Sequence, residues 1–350
     1  MTRSIAAALL AVLAAVPALY AQSAGRAMAV ERGAVPPPPA ESVAVLMGHF
    51  GNGLREVVVY EDDDGYLALW ADGRVAMRRT GPGAYGLTGA PAWVGSAMRF
   101  VPETGRPLLI AATDRTFVRR AIGPDPGVDS NSGGDVFRIV PQRPLAGILA
   151  DAARIAPPST VERRGSLVDV TRAVPGVVLD IRYATPRNFM GAALYDRARA
   201  YVVPEAAEAL ARVQTRLARH GLGLVVYDAY RPWSVTWAFW EATPPAQRSF
   251  VADPSWGSKH NRGAAVDVGL VALQTGEAVE MPSDYDEFTS RAAVAYAGGT
   301  RRSRHYRAIL REAMLAEGFL PNPTEWWHYD LASWRRYPLL NVPFAALERR

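Results

Sequence analysis

The chain contains no cysteine. That absence excludes disulfides, a thiolate nucleophile and thiolate metal ligands together. Histidine is scarce: five occur in 350 residues, so imidazole chemistry has to come from His49, His220, His260, His305 or His328. Beyond the first residues no stretch is long and apolar enough to cross a bilayer. Charge of one sign is not concentrated either. Lys and Arg number 39 against 34 Asp and Glu, a net +5 with the Arg residues scattered. This modest excess suits an anionic envelope or cell wall. It is not a nucleic-acid footprint, and no nucleic-acid partner is expected.

What is present starts with an export signal over residues 1–21. Arg3 supplies the positive charge, Ile5 to Val16 the short apolar core, and Pro17 with the small residues around Ala21 a cleavage site. The alternative is an uncleaved anchor, which the shortness of the apolar run disfavours. The protein is therefore expected to be exported, periplasmic or extracellular, without a membrane span in the mature chain. Residues 22–42 read as a Pro-rich linker, stiffened by the four prolines of VPPPPA (35–40).

The remaining length predicts two domains. Residues 43–140 alternate short apolar runs with Gly and Asp clusters, which predicts a small antiparallel all-β domain. Its strands are expected at REVVVYE (55–61), YLALWA (66–71), RVAMRR (74–79), AMRFV (97–101), PLLIAAT (107–113) and DVFRIV (135–140). No catalytic constellation occurs there. The lone His49 reads as structural or solvated. The acidic turn Asp62–Asp64 lacks the spacing of a calcium loop and reads as a solvated turn. Residues 141–164 form a linker with an Ala-rich helical piece. Over 165–350 the pattern turns to mixed helices and strands without βαβ order, which predicts an α+β domain. Helices are expected after Pro204, over 235–242 and around Tyr306–Met314, and strands over 223–232 and 264–270.

The chemistry concentrates in two short segments of this second domain. SKHNRGAAVD (258–267) holds His260 and Asp267, and EWWHYD (325–330) holds Glu325 and His328. Two imidazoles and a carboxylate are a frequent ligand set for catalytic zinc, which keeps a fourth position open for water. His260 and Asp267 are too far apart for one helix face, so a turn at Gly263 is needed to bring them together. Asp267 lies between two valines, and a buried carboxylate needs a counter-charge. Either an Arg such as Arg262 or a metal meets that need, and the two histidines favour the metal. Glu325, three residues before His328, is placed as general base; alternatively it satisfies a backbone group while Trp326 and Trp327 anchor the core. Arg231, at the end of GLVVYDAYRP (223–232), is either a surface residue or a fork aimed at a developing oxyanion. His220 and His305 read as solvated.

Together the segments RYATPRNFMG (182–191), YDAYRP (227–232), SKHNRGAAVD and EWWHYD resemble the zinc D-alanyl-D-alanine dipeptidases, the VanX-type members of peptidase family M15. The likeness covers roughly residues 165 to 340. S-x-H-x-x-G-x-A-x-D is shared with D,D-carboxypeptidases and hedgehog-type domains, whereas EWWH and Y-A-T-x-x-N-F point to the dipeptidase branch. The resemblance implies an α+β zinc peptidase domain (hedgehog/D,D-peptidase-like), preceded here by the extra β domain. It implies one zinc ion per chain held by His260, Asp267 and His328. Glu325 would be the base and Arg231 would polarise the scissile carbonyl. Ser258 would hold the C-terminal part of the substrate, and Tyr183 and Asp286 its free amine. Tyr195 would be a further substrate contact. Pro282 stands where the family has Gly, so the segment around Asp286 departs from the pattern.

The implied reaction is hydrolysis of D-alanyl-D-alanine or a related D,D-dipeptide in peptidoglycan turnover or remodelling, with an association to the cell wall as a further expectation. Two rival readings stand beside it. One is a D,D- or L,D-carboxypeptidase acting on peptidoglycan stem peptides. The other is a non-catalytic zinc-binding recognition module, against which the presence of both Glu325 and Arg231 argues.

Overall fold

The computed structural model describes residues 46–52, 55–62, 67–101, 108–121, 136–162 and 164–348. The expected export signal and Pro-rich stretch lie outside them. The first described unit is a closed antiparallel barrel in which each strand pairs with the next and the last pairs with the first. Its strands are β1 (Gly48–Gly51), β2 (Glu56–Glu61), β3 (Leu67–Trp70), β4 (Arg74–Gly81), β5 (Ala84–Thr88), β6 (Ala97–Val101), β7 (Leu108–Ala111) and β8 (Thr116–Arg120). Closure leaves no free sheet edge. Phe50, Val57, Val59, Leu69, Met98 and Phe117 fill the interior.

β2 departs from simple alternation. Val57 and Val59 point into the barrel, but Val58 and Tyr60 are buried too, in a second cluster with Ala68, Val294 and Ala295. A strand covered on both faces reads as a continuous apolar run, which is what VVVY is. The barrel therefore docks on the second unit through the outside of β2 and β3. Polar contacts surround this seam. Arg304 Nε lies 3.2 Å from Glu61 Oε2 with both side chains buried. The Arg311 guanidinium stacks on the Tyr60 ring at 3.9 Å, and Arg74 pairs with both Asp62 (3.2 Å) and Glu312 (2.9 Å). Asp62 is thus a buried ion-pair partner and not part of a solvated turn; Asp63 and Asp64 lie outside the described residues.

Residues 136–140, expected as a strand, pair with no strand. Ile139 instead donates its amide to the Phe189 carbonyl and packs in the core of the second unit. The Ala-rich piece that follows is helix α1 (Leu145–Ala152), packed on the later helix 233–242.

The rest of the second unit builds a mixed sheet. Short segments β9 (Val161–Glu162), β10 (Val168–Asp169) and β11 (Val178–Leu179) come first, with α2 (Val170–Ala173) between the last two. β12 (Tyr201–Val202), α3 (Pro204–Ala218), β13 (Leu222–Asp228), α4 (Trp233–Ala242), β14 (Ala265–Ala272) and α5 (Arg301–Ala316) follow. β15 (Phe319–Asn322), β16 (Glu325–Leu331), β17 (Leu339–Leu340) and α6 (Phe344–Leu347) end the chain. The main sheet has the order β11-β13-β14-β16-β15, parallel only between β11 and β13. Pro204 opens α3 at its first turn, where a missing N–H costs nothing. α3 packs on β13 and on α5, and α5 covers β14, β15 and β16. Leu210, Val213, Val226, Val268, Leu310 and Met314 close the core beneath the sheet.

The docking seam makes a stability prediction. Arg304→Ala leaves Glu61 buried without its cation, and breaking such a pair costs about 3 kcal/mol. Denaturant unfolding should show that loss; a change below about 1 kcal/mol would mean the pair contributes no more than a surface one.

Candidate active site

The sheet register assembles the site. Asp267 on β14 stands opposite His328 on β16 on one side and opposite Asp228 on β13 on the other. Residues directly opposite across neighbouring strands share a face, so three central strands set three functional side chains in one row. β13 carries a bulge between Val226 and Asp228, a device that re-aims the following side chain. His260 comes from a single 3-10 turn, His260–Arg262, ended by Gly263 at φ 64. A Cβ at Gly263 would meet Leu167 Cδ2 at 2.4 Å. The turn needs a residue free to adopt the left-handed region and small enough to pass Leu167.

Three ligand atoms converge there. His260 Nε2 lies 3.0 Å from His328 Nδ1, and Asp267 Oδ1 lies 3.3 Å and 3.1 Å from them. Two nitrogen or oxygen ligands at about 2.05 Å on a tetrahedral ion stand about 3.3 Å apart, so the spacing fits a small divalent cation. The outer hydrogen bonds fix the tautomers. His260 Nδ1 is 2.7 Å from the Ala229 carbonyl, which can only accept, so Nδ1 carries the hydrogen and Nε2 a lone pair. His328 Nε2 donates to Asp330 Oδ1 at 2.9 Å, turning Nδ1 inward. Asp267 Oδ2 accepts from the Tyr285 hydroxyl (2.9 Å), while buried Oδ1 has no hydrogen-bond partner. Two inward nitrogens and an orphaned carboxylate oxygen require a cation or a proton between them. Among the described residues this is the one group of His, Asp and Glu able to share an ion.

The remaining expected residues line the same cleft of about 540 Å³, within the usual size of small-molecule sites. Glu325 opens β16, with Oε2 at 3.7 Å from His328 Nδ1 and accepting from Asn322 Nδ2 at 2.8 Å. Burial raises its pKa above the ordinary glutamate value against the pull of His328. Arg231 donates through Nε (3.0 Å) and Nη2 (2.7 Å) to Asp228 Oδ2, leaving Nη1 outside the pair. Burial opposes its charge, but Asp228 outweighs that and keeps the guanidinium protonated. Arg231 is therefore a buried cleft residue, not a surface one. Arg262, the sequence-based alternative counter-ion for Asp267, instead donates to the Tyr337 carbonyl; the nearest guanidinium to Asp267 is that of Arg231, at 3.8 Å.

Tyr183 donates to Asp286 Oδ1 at 3.0 Å, and Asp286 Oδ2 is buried without a partner. Burial and the nearby Asp267 push the Asp286 carboxyl well above the usual range. Asp286 also holds a left-handed backbone at φ 59, a conformation uncommon outside glycine. Ser258 lines the cleft and accepts the His260 amide through Oγ at 3.2 Å. The buried hydroxyl of Tyr195 donates to Asp228 Oδ1 at 2.7 Å. Trp326 and Trp327 are both buried, and Trp326 Nε1 donates to Ser283 Oγ. The exposed His220 lies apart from this group.

Sequence reasoning missed Asp228, Asp330, Tyr285 and Asn322. Asp228 and Asp330 sit inside the quoted segments YDAYRP and EWWHYD, where Asp228 pairs with Arg231 and Asp330 with His328, while their other partners, Tyr195 and Lys259, are distant in sequence. Tyr285 is next to Asp286, and Asn322 lies three residues before Glu325.

A family model described as D-Ala-D-Ala dipeptidase, peptidase M15, matches residues 163–344. Similar curated proteins are the D-alanyl-D-alanine dipeptidases of Escherichia coli (strain K12), Enterococcus faecium and Streptomyces coelicolor. The first is 34% identical over 179 residues, covering 51% of this chain and 91% of its own length. The second is 34% identical over 179 residues (45% and 87%), and the third 32% over 185 residues (48% and 92%). The barrel lies outside the matched region.

The ligand set predicts how cation binding depends on pH. Burial opposes charge on His328, but Asp330 and Asp267 outweigh it and push its pKa to about 10. In the metal-free protein at neutral pH a proton therefore sits on His328, and a divalent cation must displace it. Below that pKa, apparent affinity should fall about tenfold per unit drop in pH for each proton released. Competition against a chromophoric chelator from pH 6 to 9 measures the slope. A flat profile would show that no proton has to leave.

Proposed function

The chain belongs to the M15 peptidases, the family described as D-Ala-D-Ala dipeptidases, and we propose that it is a zinc D,D-dipeptidase that hydrolyses D-alanyl-D-alanine or a close relative to free D-amino acids. The observation that carries this reading is the meeting, in one cleft, of the three-ligand group, Glu325, Arg231 and an unpaired carboxylate oxygen of Asp286. The domain is accordingly read as an α+β zinc peptidase of the hedgehog/D,D-peptidase kind. His260, Asp267 and His328 would hold the zinc ion. When bound there, zinc supplies Lewis acidity, polarising a carbonyl and making a water easier to deprotonate.

The protein's own groups do the rest. Asp286, supported by Tyr183, takes the substrate's ammonium, which replaces the proton that burial places on the empty carboxyl. Ser258 lies along the cleft toward the substrate's C-terminal part. Glu325 removes a proton from the attacking water and returns it to the leaving amine nitrogen. Arg231, held by Asp228, presents its guanidinium to the carbonyl oxygen as negative charge develops there. Because Asp228 fixes the fork before substrate arrives, little reorganisation is left for the transition state. An ammonium contact at one end explains a preference for dipeptides, since a longer chain has no free amine at that position.

The export segment, Arg3 followed by Ile5–Val16, supports work outside the cytoplasm, where wall turnover releases D,D-peptides; recovery of the protein only from the cytoplasm would sink this part. An association with the wall itself is a further part of the reading.

Purified protein should release D-alanine from D-Ala-D-Ala, and a chelator should stop it. A stem pentapeptide should stay intact; its cleavage would move the enzyme to the carboxypeptidase reading, and no cleavage of either would favour a recognition module. Glu325→Gln should lower kcat by at least about 100-fold with the metal retained. Loss of metal together with activity would make Glu325 a ligand.

A further inference from the structure

One residue holds both segments that carry the histidines of the site. Lys259 immediately precedes the turn His260–Arg262. Its carbonyl accepts from the amides of Arg262 (3.0 Å) and Ala264 (3.3 Å), so its backbone closes the turn that presents His260. Its side chain runs to the other segment. Nζ donates to Asp330 Oδ2 at 2.7 Å, and Asp330 Oδ1 accepts from His328 Nε2 at 2.9 Å. The backbone ties the same two segments beside this link. The Leu331 amide donates to the Ala264 carbonyl at 2.8 Å, and Ala265 stands opposite Asp330.

The far end of this chain of contacts is the inward nitrogen. His328 Nδ1 lies 3.0 Å from His260 Nε2 and 3.1 Å from Asp267 Oδ1. The ring torsion of a histidine is broad, so what holds Nε2 sets where Nδ1 points. A carboxylate held at one oxygen can still swing; Asp330 is held at both. The ammonium in turn faces the Trp334 ring at 5.5 Å, and Lys259 and Trp334 both line the cleft.

We propose that Lys259 is a positioning residue of the metal site: acting through Asp330, it fixes the His328 ring so that Nδ1 faces His260 and Asp267. This rests on the reading of His260, Asp267 and His328 as the zinc ligands. Charge and positioning pull in opposite directions here. An ammonium beside a divalent cation repels it, so charge alone weakens cation binding. The Lys259 side chain is 41% exposed, and water screens that repulsion, whereas the two hydrogen bonds act at contact distance. The hold on Asp330 therefore outweighs the repulsion.

The test uses Lys259→Met, which keeps an apolar stem against Trp334 and removes charge and donor, and Lys259→Arg, which keeps both. Zinc affinity, read by competition against a chromophoric chelator at one pH, should fall about tenfold in Lys259→Met and recover most of that in Lys259→Arg. The visible absorption of the Co2+-loaded protein, which reports ligand arrangement, should shift in Lys259→Met and keep its wild-type form in Lys259→Arg. KM for D-Ala-D-Ala in saturating zinc should not change. On an Asp330→Asn background, Lys259→Met should add no further loss, because the route is already cut. Unchanged or tighter zinc binding in Lys259→Met overturns the proposal, as does an unshifted Co2+ spectrum. A loss that persists in full on the Asp330→Asn background overturns it too, and so does a raised KM with zinc binding intact, since Lys259 would then act on the substrate. Should Asp330→Asn not fold, the two Lys259 variants decide alone. Failure of the wild type to bind either ion overturns the ligand reading and the proposal with it. Absence of D-Ala-D-Ala turnover in the zinc-loaded wild type fails the dipeptidase reading separately, and the affinity and absorption measurements still decide the role of Lys259.

Discussion

The structure of the second unit depends on one buried oxygen. Asp267 Oδ1 sits in the central strand, shielded from water, with only the inward nitrogens of His328 and His260 beside it at 3.1 and 3.3 Å. Leaving a carboxylate oxygen in that state is costly unless positive charge arrives. Everything around it is arranged to bring that charge to one point. β16 places His328 directly across from it, the turn ended by Gly263 brings His260 back over it, and Tyr285 holds the other oxygen so that Oδ1 cannot rotate away. The Ala229 carbonyl and Asp330 then orient each imidazole from behind. Such outer partners govern a ligand set as much as the ligands do.

The same site is short of positive charge. Asp228, Asp253, Asp267, Asp286, Glu325 and Asp330 bring six carboxylates into or beside the cleft, whereas Arg231, Lys259 and Arg262 bring three cations. Arg231 pairs most closely with Asp228, Lys259 pairs with Asp330 at 2.7 Å, and Arg262 donates to the Tyr337 carbonyl. That leaves Asp267, Asp286 and Glu325 without a cation of their own. On the proposed reading a divalent ion at the first and an ammonium at the second would supply what the protein withholds, and Glu325 would be left as the carboxylate free to take a proton. The roles separate because each carboxylate meets a different partner, even though their chemistry is identical.

Much of this was legible in the sequence. The segments 258–267 and 325–330 carried His260, Asp267, Glu325 and His328, and the need for a turn at Gly263 followed from the spacing of His260 and Asp267. The helices after Pro204 and around Tyr306–Met314 showed in their periodicity. What could not be read was whatever depends on register. Asp228 lies three residues before Arg231, but only the pairing of β13 with β14 places it opposite Asp267. For the same reason the hydrogen bond from Tyr195 to Asp228 could not be read. Residues 136–140 have the β-branched and aromatic composition of a strand, yet a single backbone bond to Phe189 and burial of Ile139 recruit them to the other core. Local pattern gave their extended shape but not their neighbour. The barrel's closure was equally hidden, because the pairing of β1 with β8 joins residues about seventy apart.

The barrel's placement follows from an asymmetry in the sheet. Two of the proposed metal ligands, Asp267 and His328, rise from β14 and β16, which have neighbours on both sides and α5 beneath. Glu325, the proposed base, lies at the start of β16, where its partner β15 is an edge strand and the register already slips between Pro321 and Asn322. An edge hairpin opens more readily than a central strand, and a general base tolerates little displacement. The seam where the barrel docks lies on this weak side, against 293–297 and α5. A lone Val58 or Tyr60 on the outside of a barrel would be an exposed apolar liability. Buried here, the same residues hold the segment whose Val294 amide caps Pro323. The apolar run VVVY, which breaks the alternation expected of a free-standing barrel, is therefore the sequence trace of a docking face.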